Sequence, residues 1–425
     1  MTNWNVYLYG VKIMTMSKLA FISFLFFSAF SLQAQSIDRP AQGIWRGEIM
    51  HIGGALPMNF EVKPGKSANR FKIQLRNGEE RFSLDESYFR GDSLVIPFDL
   101  YESELIGKLS KGNQLTGYLV RKRNGIPAYR MPFQARAGSN LRYTKLLPAK
   151  VSVQGKWMAD FWSDETNHSP GVGIFTQKGN QVTGTFLKTS GDYRYLQGNI
   201  SGDSLFLSNF DGSYLMQVRA RIQGKTLTGT FYSGLAGKRN LKAQWDPKAA
   251  LPDLKKLTYL KPGFDRINFR LPNTRGEEIS LADDRFKNKV VVIELMGSWC
   301  PNCIDESRFL APYYRKNKDK GVEVIGLAFE ASSELSVAKP KIESFIKRVG
   351  IDYPILFAGD TQEETIAKIL PMLHKINGYP TTFIIDKKGI VREIHTGFSG
   401  PSTGAYYADW TQDFDKTIQT LLKEN

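Results

Sequence analysis

Two cysteines carry the most specific chemistry in this chain. Cys300 and Cys303 are the only ones among 425 residues, and Pro301 and Asn302 separate them. On the first turn of a helix, residues three apart share a face, so their two sulfurs can meet. Cys300 would then sit at the helix N-terminus, where unpaired N–H groups and the helix dipole favour a thiolate. Pro301 suits the first helical position, because its missing N–H costs nothing there. The reading is a working dithiol/disulfide pair. Cys300 is the attacking nucleophile, and Cys303, further inside, resolves the mixed disulfide.

The elements that must hold this pair flank it. Val290–Ile293 is a continuous apolar run, which suits a strand buried on both faces of a parallel sheet. Gly297 and Ser298 break the run, and a helix-compatible segment begins at Ile304. Strand, turn, Cys-x-x-Cys and helix make up the redox version of a βα unit. Glu294 lies inside the apolar run, where a carboxylate is costly to bury without a task. Moving a proton to or from Cys303 would be such a task. Glu306, three residues after Cys303, shares its helix face and reads either as exposed or as a second acid of the site.

These residues resemble the thioredoxin superfamily, and closely its TlpA/ResA branch of extracytoplasmic thiol–disulfide oxidoreductases. Glu294 falls where thioredoxins keep a buried acid, and Glu306 where ResA-like proteins keep an active-site glutamate. Gly378-Tyr-Pro-Thr-Thr-Phe-Ile-Ile385 resembles the family's cis-proline segment. The resemblance implies a cis Pro380 facing the cysteines, and partner contacts from Trp299, Tyr379 and Pro380. It also implies a reducing role in the periplasm, on apocytochrome or other thiol- or disulfide-bearing proteins, recharged by a membrane electron donor. No cofactor is implied. Met296 stands where many members have an aromatic residue. Arg308 stands where many have a helix-kinking proline, the nearest later one being Pro312.

Composition narrows the alternatives. The hydrophobic fraction is 41% and the charged fraction 23%, a globular balance, and the length points to two or three domains. A zinc site would need two more ligands, and His51, His168, His374 and His395 are scattered. The net charge of +15 is spread along the chain, with Arg121-Lys-Arg123 its densest run beside a turn at Gly125. It reads as a solvated surface rather than a nucleic-acid face. A peroxiredoxin-like thiol peroxidase is a second function class, but no Pro-x-x-x-Thr-x-x-Cys precedes Cys300. A third is a non-enzymatic binding protein whose β-rich part carries the function.

Lys18 followed by the apolar Leu19–Leu32 and then Ala34 reads as a secretory signal over residues 1–34, with translation starting at Met1, Met14 or Met16. The implied location is the periplasm. From 36 to 246, turn signals recur roughly every eight to twelve residues between alternating apolar positions, the pattern of antiparallel β-structure. The segment repeats itself. Gly43-Ile-Trp45 matches Gly155-Lys-Trp157, Gly91-Asp-Ser-Leu94 matches Gly202-Asp-Ser-Leu205, and Gly112-Asn-Gln-Leu-Thr-Gly117 matches Gly224-Lys-Thr-Leu-Thr-Gly229. The near-constant offset implies a duplicated module, 36–148 and 149–246, each a meander barrel or sandwich. A proline-bearing linker, 247–262, leads to an α/β domain, 263–425, with an extra strand and helix between about 330 and 370.

Overall fold

The computed structural model describes residues 39–424 apart from 68, 85, 99, 100, 124, 125 and 145. The segment read as a secretory signal and the tip of the turn after Arg121–Arg123 lie outside the described residues.

The first module has nine strands, from Gly43–His51 to Ile126–Ala137. Its first strand pairs antiparallel with both the second, Gly54–Pro64, and the last. The second strand also pairs with the third, Arg70–Asn77, so the sheet closes on itself. The second module, Gly155–Trp162 to Gly237–Trp245, repeats the same order strand for strand. Both are therefore closed barrels rather than sandwiches. Period-two alternation fills them. Leu56, Met58, Phe60 and Val62 point inward from one strand, and Trp45 and Ile49 from its neighbour.

The repeat extends to single hydrogen bonds. Trp45 Nε1 donates to the Ala41 carbonyl and Trp157 Nε1 to that of Val153, each at 2.8 Å. The glycine two residues before each tryptophan has φ near 103–105°, where a side chain is disfavoured. This explains why Gly-x-Trp recurs as a unit.

Arg142, between the barrels in sequence, fixes one to the other. It is 2% exposed. Its guanidinium donates to Asn59 Oδ1, Asn77 Oδ1 and the Arg76 carbonyl of the first barrel, and to Ser208 of the second. Asn77 Nδ2 donates across the same interface to the Phe210 carbonyl at 2.9 Å. Burial lowers the Arg142 pKa to about 10, so it remains charged at neutral pH, solvated by neutral acceptors.

The C-terminal part is a three-layer α/β domain. Its sheet runs in the order Ile355–Asp360, Val322–Glu330, Val290–Met296, Thr381–Ile385, Val391–Thr396. The first three strands are parallel and the last two antiparallel. Val290–Met296 is buried at every residue, as its unbroken apolar run requires. Val290, Val292 and Met296 face the helices Pro301–Asn317 and Ala405–Lys423, while Val291, Ile293 and Leu295 face Ile267, Phe269 and Phe286. The Pro301–Asn317 helix is continuous through Pro312. The segment between 330 and 370 supplies the helix Leu335–Val349, the edge strand and the short helix Glu363–Ile369. Two residues of 247–262 are anchored: Ala249 is 3% exposed against Val172 and Leu187, and Thr258 accepts from Thr396 Oγ1 at 2.9 Å.

Replacing Arg142 with alanine strands several buried acceptors at once. We expect a stability loss of about 3 kcal/mol or more, since each orphaned acceptor costs about 1–3 kcal/mol. Denaturant unfolding would measure it, and a loss under about 1 kcal/mol would mean that water replaces the guanidinium.

Candidate redox site

The turn before the cysteines is held from the neighbouring strand. Ser298 donates to the Glu330 carboxylate through its backbone N–H at 2.8 Å and its hydroxyl at 2.7 Å. Trp299 folds back so that its Nε1 donates to the Phe329 carbonyl at 3.0 Å. A Cβ at Gly297 would collide with that indole, which accounts for the glycine. Cys300 is the N-cap of Pro301–Asn317, and its sulfur accepts the Cys303 N–H at 3.2 Å. The positive end of the helix is thus aimed at the Cys300 sulfur.

The two cysteines form a disulfide with Cα atoms 5.3 Å apart. Cys300 is 5% exposed and Cys303 fully buried. The Cys300 sulfur lies 3.6 Å from the Tyr379 carbonyl oxygen, and the Tyr379–Pro380 peptide is cis. Trp299 is 43% exposed and packs edge-on against the Tyr379 ring, with centroids 5.7 Å apart. The residues named from the sequence therefore meet at one place.

Glu294 and Glu306 are both fully buried, so Glu306 is not the exposed residue that its polar helix segment allowed. Glu294 accepts from Ser307 Oγ at 2.8–2.9 Å and from the Tyr353 hydroxyl at 3.3 Å. Glu306 accepts from Thr382 Oγ1 at 2.7 Å through Oε1, while its buried Oε2 has no hydrogen-bond partner among the described residues. Burial raises the Glu306 pKa to about 8. Burial and then the neighbouring Glu306 charge also push Glu294 well above the ordinary glutamate range. Near neutral pH Glu306 is a carboxylic acid close to its midpoint, one helical turn from Cys303 and suited to giving or taking a proton.

The site is covered from an unexpected direction. A turn of the second barrel, between the strand Gln181–Lys188 and the Gly191–Asp192 pair, seats on its rim. Asn302 Nδ2 donates to the Ser190 carbonyl at 3.4 Å. A Cβ on Gly191 would strike the Asn302 amide, and one on Gly378 would meet Ser190. Asp192 accepts from the Gly400 N–H at 2.7 Å and from Ser402 Oγ at 2.9 Å. Two residues on, Arg194 is 2% exposed and reaches Asp211 of its own barrel, Glu80 of the first barrel and Asp305 of the redox helix.

Sequence reading placed no site residue in the barrels. It also missed Ser307, Tyr353, Thr382 and Glu330. Glu330 closes an apolar strand and carried the same signal as Glu294. Hydroxyl partners distant in sequence carried none.

The Glu306 shift has a consequence for stability. Its carboxyl pKa is raised on folding from 4.5 to about 8, so the folded state favours the proton. That stabilisation is complete below about 4.5 and is lost as pH climbs through about 8. In denaturant titrations across that window, Glu306→Gln should flatten the fall seen for the unaltered chain. Parallel curves would assign the fall to other groups.

A family model described as the AhpC/TSA family matches residues 263–394. The thiol-disulfide oxidoreductase ResA of Bacillus subtilis (strain 168) is 30% identical over 138 residues, covering 32% of this chain and 69% of that protein. ResA of Geobacillus kaustophilus is 31% identical over 142 residues, covering 33% and 72%. A solved thiol:disulfide interchange protein of the thioredoxin family, from Chlorobium tepidum TLS, aligns at 24% identity and a TM-score of 0.28, over 37% of this chain and 95% of its own. On the match to the two ResA proteins, with the cysteine pair, the buried acids and the cis-proline segment inside it, this chain belongs to the ResA-like thiol–disulfide oxidoreductases of the thioredoxin superfamily.

Proposed function

We propose that this enzyme is exported and reduces disulfides in periplasmic proteins through the Cys300–Cys303 pair. One arrangement carries the reading. The Cys300 sulfur caps a helix N-terminus, while Cys303 is buried one turn from an acid that titrates near neutrality.

In the reducing direction the Cys300 thiolate attacks a client disulfide, forming a Cys300–client bond and releasing one client thiolate. Cys303 loses its proton to Glu306 and attacks the Cys300 sulfur. The internal disulfide forms, the second client thiolate leaves, and two electrons have passed to the client. Once Glu306 ionises, its charge keeps Glu294 protonated, since two buried carboxylates resist a second charge. Trp299 and Tyr379 form the partly exposed surface that meets the client, with Pro380 buried behind it. An electron donor at the membrane returns the pair to the dithiol. The reducing direction rests on likeness to the family, so the potential must be measured. A glutathione titration giving a value near or below roughly −250 mV supports it, and one near roughly −120 to −180 mV overturns it.

Cys300→Ser should abolish exchange with protein disulfides. Cys303→Ser should instead accumulate mixed disulfides that non-reducing gels resolve. If the Cys303 variant turned over normally, the resolving role would be wrong.

A further inference from the structure

The buried acids need a way to exchange protons with water, and the face carrying the cysteines offers little. Cys303 is fully buried, and Cys300 is 5% exposed with the Ser190–Asp192 turn seated on the rim of the site. The opposite side differs. Glu294, Thr382 and His395 are direct cross-strand partners in three adjacent strands, so their side chains lie in a row on one sheet face. Thr382 already donates to Glu306 at 2.7 Å.

Beyond Thr382 lies a cavity of about 160 Å³, lined among others by Thr382, His395, Ser399, Tyr406 and Trp410. At about 30 Å³ each, roughly five waters would fill it. His395 Nε2 is buried and has no hydrogen-bond partner among the described residues, a state that a buried polar atom beside a cavity resolves by binding water. Lys255 and Glu393 also line the cavity, and their 2.8 Å ion pair is partly exposed to solvent. The cavity thus runs from the hydroxyl on Glu306 towards the surface.

We propose that Thr382, His395 and the water they hold form a proton path between Glu306 and solvent, which makes Thr382 and His395 positioning residues for thiol–disulfide exchange. The proposal rests on the reading of Glu306 as the proton carrier for Cys303. When Cys303 attacks, its proton moves to the Glu306 carboxylate, then from that carboxyl through the Thr382 hydroxyl to cavity water, and on to solvent, from which the departing thiolate is protonated. Burial, and secondarily the Lys255 charge, lower the His395 pKa to about 4, so at neutral pH it orients water as a neutral ring and does not titrate. The charged or titratable groups around the path are Glu294 and Tyr353 at the inner end and Asp253, Lys255, Glu393, Tyr406 and Asp413 at the outer end.

The test is the reaction of the reduced full chain with oxidised glutathione, followed by tryptophan fluorescence over a pH range that brackets about 8. Thr382→Val should raise the midpoint of the resolving step by roughly one to two pH units, the worth of a hydrogen bond to a charged acceptor. Thr382→Ser should return it. His395→Phe should slow that step by roughly tenfold or more, while alkylation of Cys300 keeps its rate. His395→Asn should recover most of the loss. An unmoved midpoint in Thr382→Val, or an asparagine variant as slow as the phenylalanine one, would overturn the path. Absence of any exchange in the unaltered chain would overturn the reading of the cysteine pair itself, and the path with it.

Discussion

A single buried guanidinium decides how the three parts of the chain meet. Arg194 carries a full charge out of water, and such a charge is tolerated only when it is closely paired. Burial opposes its protonation, but Asp305, Glu80 and Asp211 outweigh that and hold it above the ordinary arginine value. Each carboxylate belongs to a different module. None of the three can withdraw without leaving charge unpaired in a nearly dry place. A planar guanidinium fork holds three acids in this way through its two terminal nitrogens.

The two barrels use equivalent turns for different ends. The turn after Arg70–Asn77 delivers Glu80 to the knot, and its counterpart after Gln181–Lys188 delivers Ser190 and Asp192 to the redox rim. Duplication supplied two copies of one hairpin, and their residues then diverged. The conserved part of the repeat is what the barrel itself requires, the left-handed glycines and the tryptophan anchors. The divergent part is what each barrel presents to its neighbours.

Local chemistry in this chain was legible from residue order. The cysteine spacing, the apolar strand, the buried position of Glu294 and the duplication of the β module all express periodicities or fixed distances along the chain. Barrel closure was not legible, because a sandwich and a barrel share the same alternation and differ only in whether the second strand finds the third. The contacts of Thr382 with Glu306 and of Arg194 with Asp305 join residues 76 and 111 positions apart. Charged residues also misled. Arg142 and Arg194 looked like two more members of a solvated basic surface, yet both are 2% exposed. Burial of a charge depends on partners brought by tertiary folding, and no local pattern announces it.

The turn over Cys300 turns the exchange reaction into a problem of populations. A macromolecular disulfide needs to approach that sulfur, and it competes with Ser190 and Gly191 for the same rim. If the turn must lift for such a partner to dock, the apparent affinity is the intrinsic affinity scaled by the fraction of molecules in which it has lifted. By linkage, anything that binds the lifted arrangement better, such as a client or a ligand of the barrels, raises that fraction for every other partner. A distant module can in this way set how fast a thiol is used without altering the reactivity of the thiol.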